Sequence, residues 1–535
     1  MSVSSMIWLH DLIRDKPARD IAIIDHDGTQ LDYGTMRDMT DALAGALRDH
    51  GVRAGDRVLL VSENCAAYAI AILAASQIGA WISPVNARQS VDELTSIAAH
   101  CQPRCVLFTA RASEAAADHA AGFGAAPLGI DAPDSGRPPL ARELHATPAA
   151  DVAVEPASDD PAERVAALLY TTGTTSAPKG VMLTHANLMW NAATSAGLRR
   201  MTPQDDVLGV LPGTHIFGFS SVFLAAMYAG ARLRFLPRFT PESVLTAFAE
   251  GASIMPAVPQ MYARILRHLD AGGQPFKAPR LRYISAGGAP LDPAWKTRTE
   301  QIFGLPLNNG YGLTEASPSV SGTRPDAPRR DLSCGPAFDG VDMWIDRPDA
   351  EGVGELLIRS PGVMKGYYRN PEATAEVLSP DGTFRCGDLA RIDGDGCLHI
   401  VGRLKELIIR SGFNVYPPEI EAMLTRHPRV SQAAVVGRPR GGDEEILAFV
   451  MPGGDGPTAG IEPELTPDDL RDWLSQRLVG YKVPQQILLV DELPTAATGK
   501  ILKHRLIGHF ADRLDQTDTP PRQPRTAPSQ RGQND

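Results

Sequence analysis

The sequence has few cysteines, and their spacing matches neither a metal site nor a disulfide framework. Six occur among the 535 residues, at Cys65, Cys101, Cys105, Cys334, Cys386 and Cys397. No CxxC pair is present. The spacing of Cys101 and Cys105 allows both to share one helix face, but no second ligand pair follows them. Scattered cysteines of this kind are typical of buried, inert thiols in a reducing compartment, so we expect a cytoplasmic protein.

The sequence also lacks a long apolar run and a leader-like start. The most apolar stretch spans residues 68–85 and is interrupted at Ser76, Gln77, Gly79 and Ser83. This pattern predicts a buried helix followed by a strand rather than a membrane span. The N-terminal residues contain no basic segment followed by an apolar one, as a signal peptide would. Integral membrane association is therefore not expected.

An excess of positive charge is absent as well. The chain has 52 Lys and Arg residues against 63 Asp and Glu residues, for a net charge of −11. General nucleic-acid binding needs a basic face that neutralises phosphates, so the composition argues against this class of protein. A single nucleotide can still bind, because a few placed groups suffice. With 43% hydrophobic and 21% charged residues, the chain has the composition of a globular protein, and its length requires two or more domains.

Short apolar runs alternate with helical patterns through most of the chain. The strands predicted in this region lie at residues 56–61, 104–108, 166–170, 207–211, 232–236 and 281–285, with a helix at 66–79 after the first of them. Alternation of strands and helices predicts an α/β fold with parallel-rich sheets covered by helices.

The pattern changes after about residue 350. Antiparallel strands are predicted at 354–359 and 398–401, and a smaller α+β unit follows, with helices from Pro418 and Pro467 and strands at 433–436, 446–450 and 487–490. We predict a large, multi-subdomain N-terminal domain over residues 1–403 and a small C-terminal domain over 404–511. Residues 512–535 lack apolar periodicity and are predicted to form a disordered tail.

The strongest chemical signal is a run of threonines and glycines that ends in a lysine. It reads Tyr170-Thr171-Thr172-Gly173-Thr174-Thr175-Ser176-Ala177-Pro178-Lys179-Gly180 and follows a predicted strand. Backbone N–H and hydroxyl groups of such a loop can wrap a polyphosphate, and Lys179 adds a positive charge. The GxxxxGK[ST] spacing of a Walker A loop is absent. A flexible threonine-rich loop without a ligand is the alternative interpretation.

This run resembles the phosphate loop of the acyl-adenylate-forming family, which includes acyl-CoA synthetases and 4-coumarate–CoA ligases. Further blocks similar to the family's motifs follow in the family's order. They are Asn309 to Glu315 (NGYGLTE), Arg385 to Leu389 (RCGDL), Gly402 to Ile408 (GRLKELI) and Pro494 to Lys500 (PTAATGK). Coincidence of five ordered blocks is negligible, and the resemblance spans residues 20–506. It implies that the small C-terminal domain is mobile.

The resemblance assigns nucleotide-binding roles to residues of these blocks. Phosphate contacts are expected from Thr171, Thr172, Gly173, Thr174, Thr175 and Lys179. The Tyr311 ring can lie flat against adenine, and the Asn309 amide can pair with an adenine edge. Thr314 can donate to the α-phosphate, while Glu315 offers a carboxylate to Mg²⁺. A core tyrosine and a solvated surface carboxylate are the ordinary alternatives for Tyr311 and Glu315.

Three further residues are carried over from the family. Asp388 can accept both ribose hydroxyls, although Gly-Asp pairs are also common in turns. Arg403 matches a second ribose or phosphate contact, with an ordinary salt bridge as the alternative. Lys500 matches the lysine that stabilises the charge developing between the acid and the α-phosphate. Most lysines near a C-terminus are simply solvated, so the resemblance alone supports its catalytic role.

This set of residues suits a two-step ligation. A thiol cannot displace oxide from a carboxylate. Attack of the carboxylate on the α-phosphate of ATP gives an acyl-adenylate and pyrophosphate, and AMP is then a competent leaving group. The protein mainly positions and neutralises anions. No Ser–His or Cys–His nucleophile is visible in the sequence.

The resemblance places the acid pocket on residues 211–220, 283–289 and 308–317. These segments contain no Lys or Arg, so an uncharged acid tail is favoured over a dicarboxylate. His215 is either a gate beside the acid or a structural histidine. The pocket residues expected are His215, Phe217, Ala286, Gly287, Gly288 and Gly312. Small residues leave space, which favours an aryl or medium-chain acid.

Coenzyme A is the expected acceptor, because no carrier-protein domain follows Lys500. Ser411, Gly412 and Phe413 match the family's loop that lines the pantetheine tunnel. Lys405 matches the hinge about which relatives rotate the C-terminal domain. Residues 437–444 depart from the family's Gly-x-Pro-Asp form, so the usual CoA contacts are not carried over there.

The sequence therefore predicts an AMP-forming acid–thiol ligase that uses ATP, Mg²⁺ and coenzyme A. The alternative enzyme is a stand-alone adenylation protein that loads a separate carrier or an amine. A degenerate, nucleotide-binding regulator is a third hypothesis, and the joint presence of Lys179, Glu315, Asp388 and Lys500 argues against it. The partners expected are a small carboxylic acid, ATP and CoA, with no nucleic acid, and a homodimer is left open.

Overall fold

A computed structural model describes residues 8–128, 144–171, 179–272, 276–410, 413–440, 443–453, 465–495 and 501–516. The chain divides into two compact units, Met1–Val401 and Gly402–Asp535. Each unit has its own hydrophobic core.

Within these residues, the α-helices of the first unit are α1 Tyr33–Asp49, α2 Ala66–Ile78, α3 Val91–Cys101, α4 Glu114–Gly122, α5 His185–Leu198, α6 Ala225–Ala229, α7 Pro241–Ala249, α8 Pro259–Asp270, α9 Pro293–Phe303 and α10 Pro371–Val377. A π-helical segment, Phe217–Leu224, leads into α6. The helices of the second unit are α11 Pro417–Thr425, α12 Pro467–Ser475, α13 Lys503–His509 and α14 Ala511–Gln516.

The strands up to the end of the first unit are β1 Ile21–Ile24, β2 Gln30–Asp32, β3 Arg57–Ser62, β4 Trp81–Asn86, β5 Cys105–Phe108, β6 Ala126–Pro127, β7 His145–Ala146, β8 Val165–Thr171, β9 Lys179–Thr184, β10 Asp206–Gly209, β11 Arg232–Phe235, β12 Ile254–Ala257, β13 Tyr283–Ala286, β14 Leu307–Gly312, β15 Ser319–Gly322, β16 Asp342–Asp346, β17 Gly354–Arg359, β18 Gly366–Tyr367, β19 Phe384–Ile392 and β20 Leu398–Arg403. The remaining strands are β21 Ile408–Arg410, β22 Phe413–Val415, β23 Val430–Arg440, β24 Asp443–Pro452 and β25 Gln486–Leu489.

Two eight-stranded sheets form the body of the first unit. The first has the order β2-β1-β11-β10-β12-β13-β14-β15, and its six inner strands are parallel. The second has the order β6-β7-β5-β3-β4-β8-β9-β18, with β5, β3, β4 and β8 parallel. A four-stranded sheet, β16-β17-β19-β20, completes the unit.

Helix α2 is apolar on every side because it packs inside the unit rather than on its surface. All residues from Ala66 to Ser76 are buried, and those from Ala66 to Ala75 share one core with Val58 of β3 and Leu233 of β11. The helix ends at Gly79, whose φ of +83° is a conformation that glycine adopts without strain. The predicted buried helix followed by a strand is therefore confirmed, since β4 begins two residues later.

The second unit is a small α+β structure. β23 and β24 are antiparallel, and β25 runs parallel to β24. Helix α11 packs into the same core as these strands through Ile420 and Leu424. Together with the parallel-rich sheets of the first unit, this arrangement confirms the predicted fold class.

Two local expectations differ from the structure. Cys101 ends α3 and Cys105 begins β5, so the two do not share a helix face. Residues Ala511–Gln516 form α14, where Leu514 is only 1% exposed, so the beginning of the predicted disordered tail is instead helical. The apolar side chain of Leu514 explains the difference, because it packs into a core with Phe449 and Phe510.

All six cysteines are free and buried, as predicted. Among the described helices, none combines the length and the apolarity that crossing a membrane requires.

Candidate active site

The threonine-rich segment joins two paired strands. β8 and β9 are antiparallel neighbours, and Thr171 at the end of β8 lies opposite Lys179 at the start of β9. The pairing brings both ends of the segment together and places Lys179 beside its beginning. Outside the described residues lie Thr172, Gly173, Thr174 and Thr175.

The carboxyl ends of β13 and β14 carry the glycine-rich segment and the tyrosine-containing segment. These strands are parallel neighbours, and Ala286 pairs with Asn309. Both segments therefore emerge at the same edge of the first sheet. In open α/β sheets, ligands bind at this edge.

The Gly287 backbone passes close to the Phe217 ring. A Cβ atom at Gly287 would lie 3.2 Å from Phe217 Cε1 and 3.5 Å from the Gly310 carbonyl oxygen. His215 is exposed just before the π-helical segment, and its Nδ1 accepts a hydrogen bond from the Phe217 N–H at 3.4 Å. Gly288 follows with φ of +77°. The structure brings these four residues together, and their role as an acid pocket stays a prediction.

Gly312 is required by a close approach of the chain to itself. A Cβ atom there would lie 2.1 Å from the Pro318 carbonyl oxygen, which no side chain tolerates. The Leu313 N–H donates to the same oxygen at 3.1 Å. This contact closes a tight loop, in which Thr314 and Glu315 lie on a 3-10 turn.

Tyr311 and Asp388 contact each other directly. The Tyr311 hydroxyl donates a short hydrogen bond to Asp388 Oδ2, and Asp388 lies in β19 with 3% of its surface exposed. Cys386, two residues earlier, hydrogen-bonds Tyr311. Burial raises the pKa of the Cys386 thiol far above its ordinary value, and the nearby charges of Asp388 and Glu315 raise it further. The predicted adenine and ribose residues therefore form one cluster.

Asn309 has other partners in this structure. Its side-chain Nδ2 donates to the carbonyl oxygens of Leu332 at 3.1 Å and Ser333 at 3.2 Å, and its Oδ1 accepts from the Gly310 N–H. The amide thus ties β14 to the 332–333 segment. Its pairing with an adenine edge stays a prediction.

Tyr367 connects two of the predicted site residues and was not identified from the sequence. Its hydroxyl donates to Glu315 Oε1 at 2.9 Å. Lys179 Nζ lies over the same ring, 4.8 Å from its centroid. The flanking Gly-Tyr-Tyr-Arg-Asn-Pro run has no local pattern that indicates a site residue, so only the tertiary structure reveals this contact.

The remaining predicted site residues belong to the second unit. Arg403 and Lys405 are exposed at the Leu404–Glu406 turn. Phe413 is 52% exposed and stacks on Tyr481, with ring centroids 4.5 Å apart. Lys500, Ser411 and Gly412 lie outside the described residues.

A buried cation lies beside the π-helical segment. Arg199 is 5% exposed and donates to the Ser221 carbonyl oxygen. Burial lowers the pKa of Arg199, while contact with Tyr283 opposes this effect. Residue 199 lies outside the three pocket segments, whose lack of Lys and Arg favours an uncharged acid.

One group of metal-ligand type residues lies elsewhere. Within the described residues, Asp331, Asp393 and His399 are close enough to share an ion. However, Arg329 forms ion pairs with Asp331 and, at 3.1 Å, with Asp393. The guanidinium lowers the pKa of Asp331. An arginine therefore already pairs with both carboxylates of this group.

Two family models match the chain. The family model of the AMP-binding enzyme matches residues 11–368, and that of the AMP-binding enzyme C-terminal domain matches 419–500. A feruloyl-CoA synthase from Amycolatopsis sp is 36% identical over 494 residues, covering 91% of this chain and 95% of that protein. The 4-coumarate–CoA ligase 1 of Arabidopsis thaliana is 31% identical over 509 residues, covering 90% and 88%.

Solved structures are similar over nearly the whole chain. ATP-bound MatB from Rhodopseudomonas palustris has a TM-score of 0.80 and 29% identity, covering 95% of this chain and 99% of that one. The o-succinylbenzoate CoA synthetase of Bacillus subtilis, in complex with ATP and a magnesium ion, has a TM-score of 0.77 and 26% identity, covering 93% and 98%.

The fold and the clustered site define an enzyme that forms acyl-adenylates. The chain belongs to the AMP-binding enzyme family. Within that family it is an AMP-forming ligase of the acyl-CoA synthetase type, so the resemblance read from the sequence motifs is confirmed.

Proposed function

We propose that this enzyme joins an uncharged aromatic or medium-chain carboxylic acid to coenzyme A. One observation supports the proposal most directly. Lys179, the Tyr311–Glu315 block and Asp388 lie on three separate segments. The Tyr367 contacts connect Lys179 with Glu315, and a hydrogen bond connects Tyr311 with Asp388. A positive, a metal-binding, an aromatic and a ribose-accepting group are what an adenylating site requires.

In the first step, an acid oxygen attacks the α-phosphorus of ATP, and the bond to pyrophosphate breaks. Lys179 neutralises phosphate charge, the Tyr311 ring covers adenine and Asp388 accepts from the ribose hydroxyls. The Tyr311 hydroxyl already occupies Asp388 Oδ2, so the ribose has to share or displace this donor. Lys500 stabilises the charge that develops between the acid and the phosphate.

Glu315 suits a magnesium ion, because a carboxylate is a hard oxygen donor, and Thr314 beside it can donate to the α-phosphate. Their 3-10 turn is fixed by the close Gly312–Pro318 approach, and Tyr367 orients the carboxylate. A bound ion would neutralise phosphate oxygens. The Gly312–Pro318 contact and Tyr367 thus position Thr314 and Glu315 for the ion and the phosphates.

In the second step, the CoA sulfur attacks the acyl carbon, the bond to AMP breaks, and the thiol proton passes to solvent. Phe413 is half exposed on its stacking partner Tyr481 and supports the proposed pantetheine-side surface. We further propose rotation of the second unit about Lys405 between the steps. The homodimer and the cytoplasmic location stay predictions.

The acid class rests on the wall that Gly287 and Phe217 form. Glycine places no side chain against the Phe217 ring at this point, and the relative named as a feruloyl-CoA synthase fits an aromatic acid. Arg199 is a buried cation beside the π-helical segment, and a cation favours a substrate with a second carboxylate. Dicarboxylic acids are therefore the competing substrate class and are included in the test.

A panel of acids tests the proposal. Aromatic acids, straight-chain acids from acetate to palmitate, and dicarboxylates are incubated with ATP and Mg²⁺, with or without CoA, and pyrophosphate and AMP are measured separately. We expect acid-dependent pyrophosphate and CoA-dependent AMP, with an uncharged aromatic or medium-chain acid best. Pyrophosphate without CoA-dependent AMP favours a separate carrier or an amine. A dicarboxylate as the best substrate overturns the acid class.

A further inference from the structure

Tyr367 contacts two charged residues of the proposed ATP site, Glu315 and Lys179. Its hydroxyl donates to Glu315 Oε1 at 2.9 Å, and its ring faces Lys179 Nζ at 4.8 Å from the centroid. The side chain is 7% exposed, so both contacts are largely shielded from water. Tyr367 of β18 therefore contacts both Lys179, which is expected to bind phosphate, and Glu315, which is expected to bind the metal.

The position of Tyr367 does not depend on either of these contacts. Its own N–H donates to Thr374 Oγ1 at 2.9 Å, and β18 pairs with β9, where Tyr367 lies opposite Val181. The next N–H, that of Tyr368, donates to the Gly180 carbonyl oxygen at 2.8 Å. The backbone of Tyr367 is thus held independently of the two charged side chains.

The chemistry of the two contacts explains why a tyrosine is useful here. A lysine and a glutamate held near one ring could instead pair with each other, which would neutralise both and withdraw them from a ligand. A phenol hydroxyl satisfies a carboxylate without cancelling its charge, and the ring face attracts an ammonium in the same way. Each charged group then has its own partner, and neither partner carries an opposite charge.

We propose that Tyr367 is a positioning residue that holds Glu315 and Lys179 as separate charged groups, the carboxylate directed to the cation and the ammonium to the phosphates of Mg·ATP. This inference rests on the proposed function, since it assumes that Mg·ATP binds at this site. It adds a residue to the site that none of the sequence motifs contains.

Tyr367→Phe is the decisive variant, because it keeps the ring over Lys179 and removes the hydroxyl that donates to Glu315. ATP binding by the full chain is measured by calorimetry in Mg²⁺ and in EDTA. We expect Mg·ATP binding to weaken about tenfold, and metal-free ATP binding to change little. In a Glu315→Gln background, the same substitution adds no further loss to Mg·ATP binding, because both act through one contact.

The neighbouring tyrosine provides a matched control. The Tyr368 hydroxyl donates to Glu155 Oε1 at 2.6 Å, and Tyr368 is 3% exposed, so Tyr368→Phe removes a similar bond away from the site. We expect this control to bind Mg·ATP as the unmodified protein does. Tyr367→Leu, which also removes the ring, is expected to weaken metal-free ATP binding as well, because Lys179 loses its partner face.

Three results overturn the inference. Tyr367→Phe binds Mg·ATP with unchanged affinity, or loses affinity equally with and without Mg²⁺, or behaves no differently from Tyr368→Phe. If the unmodified protein shows no Mg²⁺-dependent ATP binding, the proposed function and this inference fail together. Normal binding by the unmodified protein and by Tyr367→Phe rejects the role of Tyr367 alone.

Discussion

At the residue scale, Tyr311 combines two functions in one side chain. Its ring is expected to cover adenine, while its hydroxyl donates to the buried Asp388 carboxylate. The hydrogen bond satisfies this carboxylate before any nucleotide binds. ATP would bring ribose hydroxyls to the same acceptor, so the free and bound proteins differ in which donor Asp388 uses.

Tyr311→Phe tests this exchange. The substitution removes a donor from a buried carboxylate, which we expect to cost the free protein about 1–3 kcal/mol. Ribose hydroxyls replace the missing donor, so ATP should raise the melting temperature of the variant by more than that of the unmodified protein. Thermal unfolding with and without ATP measures both quantities.

Tyr33→Phe is the control for this prediction. The Tyr33 hydroxyl donates to the Ala231 carbonyl oxygen at 3.0 Å, fully buried and outside the proposed site. Its loss should lower stability equally with and without ATP. An equal ATP-induced shift in Tyr311→Phe and Tyr33→Phe would show that Asp388 does not accept from the ribose.

Gly287 sets the space beside Phe217. A methyl group at this position would lie 3.2 Å from the Phe217 ring, so it narrows the space beside the ring and the ring has to shift by a few tenths of an ångström. We expect Gly287→Ala to lower kcat/KM for a bulky aromatic acid by about tenfold or more, and to leave acetate nearly unaffected. Steady-state rates of AMP formation for both acids check this.

Gly197→Ala is the matched control. A Cβ atom at Gly197 meets nothing within 4 Å, and the residue is exposed on α5. This substitution should leave the ratio of the two kcat/KM values unchanged. An unchanged ratio in Gly287→Ala as well would place the acid somewhere other than this wall.

At the element scale, the turn Leu404–Glu406 ends in a residue that is anchored to the second unit. Glu406 pairs with Lys503 of α13 at 2.8 Å, and Lys503 also pairs with Glu421 of α11 at 2.8 Å. Burial raises the pKa of Glu421, while Lys503 opposes this effect. Ion pairs thus tie Glu406 to helices of the second unit immediately after Lys405, where a hinge is expected.

Lys405→Pro tests this hinge. Proline fixes φ near −65° and removes the N–H, so a residue that must change its backbone angles between two steps is blocked. We expect acid-dependent pyrophosphate release to persist and acyl-CoA formation to slow strongly. Each half-reaction is followed separately, the second with acyl-adenylate supplied.

Lys500→Ala provides the reciprocal comparison. It should lose adenylate formation by about 10²–10³-fold and retain thioester formation from supplied acyl-adenylate. Loss of acyl-CoA formation in Lys405→Pro and loss of adenylate formation in Lys500→Ala would show that each half-reaction depends on a different residue. A folded Lys405→Pro protein that makes acyl-CoA at the normal rate would rule out this residue as the hinge.

At the scale of the whole molecule, all six cysteines lie in the first unit and all are buried. Burial raises the pKa of Cys101, Cys105 and Cys334 to about 12. The thiolate is the form that alkylating reagents attack, so these cysteines of the folded protein should react slowly. Thiol labelling therefore reports unfolding of the first unit alone.

We expect iodoacetamide at neutral pH to label the native protein slowly and to leave its activity intact. In rising denaturant, labelling should follow the unfolding of the first unit, whereas the fluorescence of a variant retaining only Trp473 follows the second. Mass spectrometry of labelled peptides measures the first signal. Rapid labelling of any cysteine without denaturant would contradict the buried, protonated state.

Much of the fold could be predicted because local hydrophobicity patterns indicate where helices and strands form. The apolar residues 66–76 and the strands on either side of them were recognisable from hydrophobicity, and they appear as β3, α2 and β4. Element ends were less exact, since β10 covers Asp206–Gly209 where residues 207–211 were predicted. Hydrogen bonding at strand ends depends on neighbouring strands, which a local pattern does not contain.

By itself, the sequence determined the class of chemistry, because the required residue types stand in ordered motifs: a threonine-rich run before Lys179, the Tyr311 to Glu315 block and Asp388. Only the tertiary structure decided which groups share a partner. The Tyr311–Asp388 bond, and the contact of Tyr367 with Glu315 and Lys179, join segments far apart in the chain. The physical reason is that strand order and register set such contacts, whereas residue type sets only the chemistry that each group can perform once it is there.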